Sequence, residues 1–332
     1  MKKIILKKFK SKLKNKHIAN IKNTTGKLNK KTNYVKSLVK SANCQIQNID
    51  CFIGLKNIKD NSIDLIVTDP PYFIDGMGDD WNKEKLSKKR YKETTVASLP
   101  GGMKFDIEQS KKTYEFSLSI GKEYLRVLKP GGFLISFSQG RLYHSMAMGF
   151  DHCGFEIRDM LGWTYEGQAK AFSLDHFIEK QFKNKKISKI ERDELIKKCD
   201  GRKTPQLKPM IEPMCLAQKP KEGTNLENWL KWGVGLIDVT QVWNDKFPGN
   251  IINCPKPNKE ERGENNDHLT VKPVKMIEHI IKIFSQERNI VLDPFLGSGT
   301  TAIAALSNNR KIVGFEINSD YYNIIKNRIK LI

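Results

Sequence analysis

Apolar and polar positions alternate along most of the chain as in proteins built from strands and helices in turn. A first strand over Gln45–Cys51 leads through a short helix to Ile63–Asp64–Leu65–Ile66–Val67–Thr68, an apolar run that ends at Asp69. Helical spacing over Tyr114–Leu128 stops at Lys129–Pro130–Gly131–Gly132, and Phe133–Phe137 then reads as a buried strand. A helix over Arg141–Phe150 and a strand over Glu156–Tyr165 extend the rhythm, which is that of parallel-sheet units. Two stretches break it. Gly76–Lys112 is polar and glycine-punctuated, too long for an ordinary connection, and is expected as a mobile loop. Residues 166–266 hold an amphipathic helix at Leu174, Phe177, Ile178 and Phe182, a charged stretch Lys183–Lys203, a strand at Met214–Ala217, and Trp229, Trp232 and Trp243 among glycines and prolines. Near the end, strand, glycine turn and helix follow one another over Ile290–Ala302, then a strand over Lys311–Phe315 and a last helix over Asp320–Lys330.

That last helix leaves no strand to follow Glu316, so the neighbour of the Lys311–Phe315 strand has to come from elsewhere in the chain. The Gln45–Cys51 strand is the candidate, and distant parts of the sequence are expected to close one sheet.

Charge adds an asymmetry to this pattern. The net charge is +21, yet residues 1–40 contain fourteen lysines and no acid, and the first carboxylate is Asp50. Such a tail attracts phosphate backbones without reading sequence. Ile4–Ile5–Leu6 is too short for the apolar core of a signal peptide, and no apolar run approaches a membrane span. Six cysteines at irregular spacing, with no CxxC, argue against a metal site and against a disulfide framework, which suits a reducing cytoplasm. His144, His152, His176 and His279 have no ligand spacing.

Two segments carry chemistry. Asp69–Pro70–Pro71–Tyr72 sets a carboxylate, two residues that donate no N–H, and an aromatic ring at a strand tip. The prolines leave carbonyls turned outward as acceptors, so an exocyclic amine can bond Asp69 and a neighbouring carbonyl while Tyr72 stacks on its ring. The second segment, Asp293–Pro294–Phe295–Leu296–Gly297–Ser298–Gly299–Thr300, brings backbone close to a ligand, and Glu316 lies nineteen residues after Gly297 at the end of the next strand, placed to bind two ribose hydroxyls. This spacing fits a nicotinamide dinucleotide as well as S-adenosylmethionine. The amine clamp at Asp69 favours the methyl donor, because it supplies a nucleophile.

With these segments in this order, the chain resembles DNA amino-methyltransferases of the β class, in which the catalytic half precedes the cofactor half. The resemblance rests on Ser62–Tyr72, Leu128–Gly132, His268–Leu269–Thr270–Val271–Lys272–Pro273 and Leu292–Thr301, with shorter likenesses at Leu207–Pro213 and Lys219–Thr224, and runs from about Asn43 to the end. It implies an α/β, Rossmann-like, doubly wound and mostly parallel sheet with circularly permuted motif order. The implied organisation is a basic tail (1–40), a catalytic half (41–165), a target-recognition insert (166–266) and a cofactor half (267–332). Asp69, Pro70, Pro71 and Tyr72 would be catalytic. Asp50, Asp69, His268, Thr270, Lys272, Asp293, Pro294, Phe295, Gly297, Ser298, Gly299, Thr300 and Glu316 would surround S-adenosylmethionine, with Asp50 toward the adenine, Glu316 on the ribose and the His268–Pro273 segment on the methionine side. Leu269 departs from the proline common in relatives. The expected reaction is methylation of adenine N6 in double-stranded DNA. Cytosine N4, RNA or protein amides, and a catalytically silent nucleic-acid binder are the alternatives. Further candidate partners are a restriction endonuclease of the same system and a second copy of the chain.

Overall fold

A central seam of two parallel strands, one ending in an acid and the other followed by one, organises the sheet. The computed structural model describes residues 38–72, 107–167, 171–262 and 270–330, so the basic tail, most of the expected loop after Tyr72, and His268 and Leu269 lie outside the described residues. Lys36–Ile332 forms one compact unit.

In chain order the elements are β1 (Leu38–Lys40), β2 (Cys44–Gln47), α1 (Cys51–Lys56), β3 (Ile63–Thr68), α2 (Ile107–Val127), β4 (Leu128–Phe137), α3 (Tyr143–Cys153) and β5 (Glu156–Thr164). They continue with α4 (Asp175–Lys183), α5 (Lys189–Cys199), β6 (Ile211–Gln218), α6 (Asn225–Trp232), β7 (Ile251–Asn253) and α7 (Lys259–Arg262). The last elements are α8 (Val274–Phe284), β8 (Ile290–Asp293), α9 (Thr300–Ser307), β9 (Lys311–Phe315) and α10 (Ser319–Ile329). The strands make one sheet in the order β1-β2-β9-β8-β3-β4-β6-β5-β7. From β2 to β4 neighbouring strands run parallel; β6 runs antiparallel to both β4 and β5, and β1 antiparallel to β2. The distant closure is present: Cys44 to Gln47 pair with Ile312 to Phe315.

Strand alternation sorts side chains into two cores. Leu65 and Val67 of β3, with Phe133, Ile135 and Phe137 of β4, face a core completed by Met276, Ile277, Ile280 and Ile281 of α8 and by the alanines of α9. Ile66 and Leu134 face the other, with Leu55, Ile120, Tyr124 and Phe150 from α1, α2 and α3. All six residues of β3 are buried, as expected for a strand covered on both faces. One of them is charged, and it is satisfied: Asp64 accepts from Lys129 Nζ and, at 2.7 Å, from the Ile290 amide, tying the start of β8 to β3.

Several boundaries differ from the sequence reading. The first strand stops at Gln47 because Asp50 caps α1, its Oδ1 accepting from the Phe52 and Ile53 amides. Lys129–Gly132 is not a free turn but a bulge inside β4: Ile63 pairs with Leu128 and Leu65 with Phe133. Asn228 and Gln218 hold it through the Pro130 and Gly131 carbonyls. The charged stretch 183–203 contains α5, announced by the capping box of Ser188 and Glu191. The largest difference concerns residues 166–266. Expected as an insert, they contribute β6 to the interior of the sheet and β7 to its edge, so the sheet is incomplete without them. Among the described residues no helix is long and apolar enough to cross a membrane.

Candidate active site

At the seam between β3 and β8 the chain turns to opposite sides of the sheet, β8 leading through α9 to β9 and β3 leading through α2 to β4. Crevices at such switch points, beyond the carboxyl ends of the strands, are where open α/β sheets bind ligands. Leu65 pairs with Val291 and Ile66 with Leu292, so Asp69 and Asp293–Phe295 emerge side by side. Thr68 Oγ1 donates to Asp293 Oδ1 at 2.8 Å and locks the two tips together. The two segments singled out by their chemistry are therefore neighbours.

On the β8 side the turn takes left-handed backbone at Gly297 (φ 53°) and Gly299 (φ 87°). A side chain at 299 would also meet Ile325 at 3.0 Å. Glu316 sits under this turn, Oε2 accepting from the Gly297 amide and Oε1 from the Asn318 amide, both at 2.8 Å. Burial pushes its carboxyl up to about 7. Asp293, also buried, is pushed up to about 6. Its Oδ1 additionally accepts from the Phe295 amide, so it braces the turn. Pro294, Ser298, Gly299 and Thr300 are buried, whereas Phe295 and Gly297 are partly exposed. Arg328 of α10 donates to the Ser298 carbonyl at 2.8 Å.

Asp50 lies on the same rim because Asn48 stitches the β2 end to the β9 end. Its Nδ2 donates to the Glu316 carbonyl at 2.7 Å and its Oδ1 accepts from Ser319 Oγ at 3.0 Å. Sequence reading gave Asn48 no role.

On the β3 side the geometry adds partners. Lys272 Nζ donates to Asp69 Oδ2 and, at 2.9 Å, to Glu212 Oε1. Tyr72 Oη donates to the same Glu212 oxygen at 2.6 Å. The ammonium lies 5.0 Å from the Phe137 ring centre and 5.9 Å from that of Tyr72. Burial alone would lower Lys272, but Asp69 and Glu212 outweigh it and hold the ammonium above its ordinary value. Burial first, then Asp69 and Glu212, keep the Tyr72 phenol well above its usual range, hence neutral. Pro70, Pro71 and Tyr72 are half-buried and border a small cleft with Phe116, Phe137 and Met146.

Lys272, expected on the methionine side of the cofactor, has its ammonium on Asp69 and Glu212, between the tip of β3 and β6. Thr270 is exposed at the start of this segment. Glu212 was missed because it lies in the region read as an insert, and only the placement of β6 beside β4 brings it to Asp69. Trp243 packs against His279, ring centres 4.8 Å apart, and against the core, so its ring is committed to packing.

A family model described as DNA methylase matches residues 63–327. The chain belongs to the DNA methylase family. Among curated relatives of this methylase, the Type II methyltransferase M.HindIII of Haemophilus influenzae is 30% identical over 311 residues, covering 86% of this chain and 94% of its own. The DNA adenine methyltransferase YhdJ of Escherichia coli is 25% identical over 285 residues, covering 82% of this chain and 78% of its own. Among solved structures, the PvuII DNA methyltransferase (cytosine-N4-specific) superposes with a TM-score of 0.58 at 18% identity, over 87% of both chains. The methylase thus shares its doubly wound architecture with that enzyme.

Proposed function

We propose that this methylase transfers the methyl group of S-adenosylmethionine to the N6 amine of an adenine flipped out of duplex DNA. The observation that carries the reading is the adjacency of Asp69–Tyr72 and the Gly297 turn across the β3–β8 seam. Residues around the turn suit the cofactor: left-handed glycines leave room for close approach, and Glu316 lies beneath them with both oxygens oriented by amides. Phe295, Gly297 and Glu316 would hold its adenosine, with Asp50 on the same rim. When bound, it supplies an electrophilic methyl group.

Asp69 and the Pro70 carbonyl accept from the target amine and draw its lone pair out of conjugation, while Tyr72, fixed by Glu212, stacks on the base. No covalent enzyme intermediate is required. Extrusion of the base from the stack costs a few kcal/mol, offset by pocket contacts. Adenine is favoured by Asp at the head of the motif and by the adenine-directed name of one relative. Sequencing that detects modified bases, on DNA from cells expressing the chain, is expected to find N6-methyladenine in one recurring short motif. N4-methylcytosine would overturn the choice of base, and unmodified DNA would overturn methyl transfer.

Target reading is assigned to residues 166–266, where Phe177, Met210, Ile211 and Ile251 leave apolar side chains exposed. Phosphates are held by the lysine-rich tail and the lysines of this region. Removing residues 1–35 is expected to reduce the slope of log affinity against log salt by about 3 or more, with the recognised motif unchanged. An unchanged slope would show that the tail does not touch DNA. Its place is the cytoplasm, in keeping with six free cysteines. A restriction endonuclease cutting the same motif and a homodimeric state complete the reading.

A further inference from the structure

Asp69, Lys272 and Glu212 converge from β3, the segment before α8, and β6 into one cluster of two carboxylates and one ammonium. Lys272 is 6% exposed and bonds both acids, so water does little to screen their charges. A lysine bound to the catalytic carboxylate works against the reaction derived above. Methyl transfer moves positive charge from sulfur onto the target nitrogen, and an Asp69–Lys272 pair alone would meet that cation with no net charge. The third group restores it. We propose that Glu212 is a positioning residue for methyl transfer: it offsets Lys272, so that the clamp presents one net negative charge to the cation forming on the target amine, and it fixes the Tyr72 ring through the phenol.

This inference rests on the methyl-transfer reading. In the step concerned, the amine lone pair forms the new N–C bond as the S–C bond breaks, its electron pair remaining on sulfur. The surplus proton on nitrogen then passes to the Asp69 carboxylate and from it to solvent. Negative charge around Asp69 stabilises the cation before that proton departs.

Charge counting and simple anchoring predict different outcomes when a second residue is changed. Glu212→Gln leaves Asp69 and Lys272, with no net charge; Glu212→Gln combined with Lys272→Met leaves Asp69 alone, again one negative charge. Single-turnover methyl transfer to duplex DNA is expected to slow about 100-fold in Glu212→Gln, and to be about tenfold faster in the double variant than in Glu212→Gln. Glu212→Asp keeps the charge and is expected to retain most of the rate. Affinity for cationic S-adenosylmethionine relative to neutral S-adenosylhomocysteine, measured by calorimetry, is expected to fall about threefold in Glu212→Gln and to recover in the double variant. An unchanged rate in Glu212→Gln, or a double variant no faster than Glu212→Gln, would overturn the proposal and make Glu212 an anchor. The double variant buries no unpaired lysine, so it remains informative if Glu212→Gln folds poorly. A wild-type chain that transfers no methyl group would overturn the functional reading instead, while the affinity ratio would still test the charge count.

Discussion

Replacing Asp69 with Ala is expected to lower the rate of methyl transfer by about 10³-fold or more while changing cofactor affinity less than about threefold. The asymmetry follows from the seam. Asp69 bonds Lys272 and faces the amine clamp, whereas the turn on the neighbouring strand is held by other groups: Thr68 and the Phe295 amide on Asp293, and the Gly297 and Asn318 amides on Glu316. Without its carboxylate the amine lone pair stays delocalised in the ring, since the neighbouring carboxylate, Glu212, is already engaged by Lys272 and Tyr72. Lys272 keeps Glu212 as a partner, so the buried ammonium is not orphaned and the fold is expected to persist. Single-turnover methylation and calorimetric titration with the cofactor separate the two effects. Wild-type turnover in the variant would remove Asp69 from the mechanism, and a parallel collapse of cofactor affinity would place it on the donor side.

Which parts of this site can be seen in the sequence depends on whether their residues are local. Asp69–Tyr72 and Asp293–Thr300 are contiguous segments at the ends of apolar runs, so strand, turn and chemistry are legible together. The pairing of β2 with β9 followed from the shortage of strands after Glu316, whereas the adjacency of β3 and β8 is seen in the sheet itself. Glu212 is different. It becomes part of the clamp through the antiparallel insertion of β6 between β4 and β5, a pairing that spans about eighty residues and leaves no local periodicity to read. The partners of Lys272 were hidden for a related reason, since nothing in its own segment shows that two carboxylates await it. Asn48 and the β4 bulge repeat the point at smaller scale: polar side chains that stitch distant loops are invisible to hydrophobic pattern.

Glu316 should make cofactor binding and stability of the free protein respond to pH in opposite directions. Burial raises its carboxyl from an ordinary 4.5 to about 7. Between those values the folded chain binds the proton and the unfolded chain does not, so the stability of the cofactor-free protein is greatest at the acid end of this window and falls as pH rises through about 7. Asp293, raised from 3.8 to about 6, adds a drop of the same sign at lower pH. In the proposed function ribose hydroxyls would donate to the ionised carboxylate, so affinity is expected to grow as Glu316 loses its proton. With half-ionisation near pH 7, cofactor binding is expected to be about tenfold weaker at pH 6 than at pH 8. Glu316→Gln is expected to weaken binding about 10- to 100-fold at pH 8, to flatten its pH dependence, and to leave in the stability profile the part that Asp293 contributes. Calorimetric titration across pH 5.5–8.5 reads the first pair of effects and thermal melts of the free protein the last. A wild-type affinity independent of pH, or a Gln variant that binds normally, would remove Glu316 from the cofactor; a pH-dependent affinity that survives the substitution would transfer the titration to Asp293, whose carboxyl braces the same turn from below.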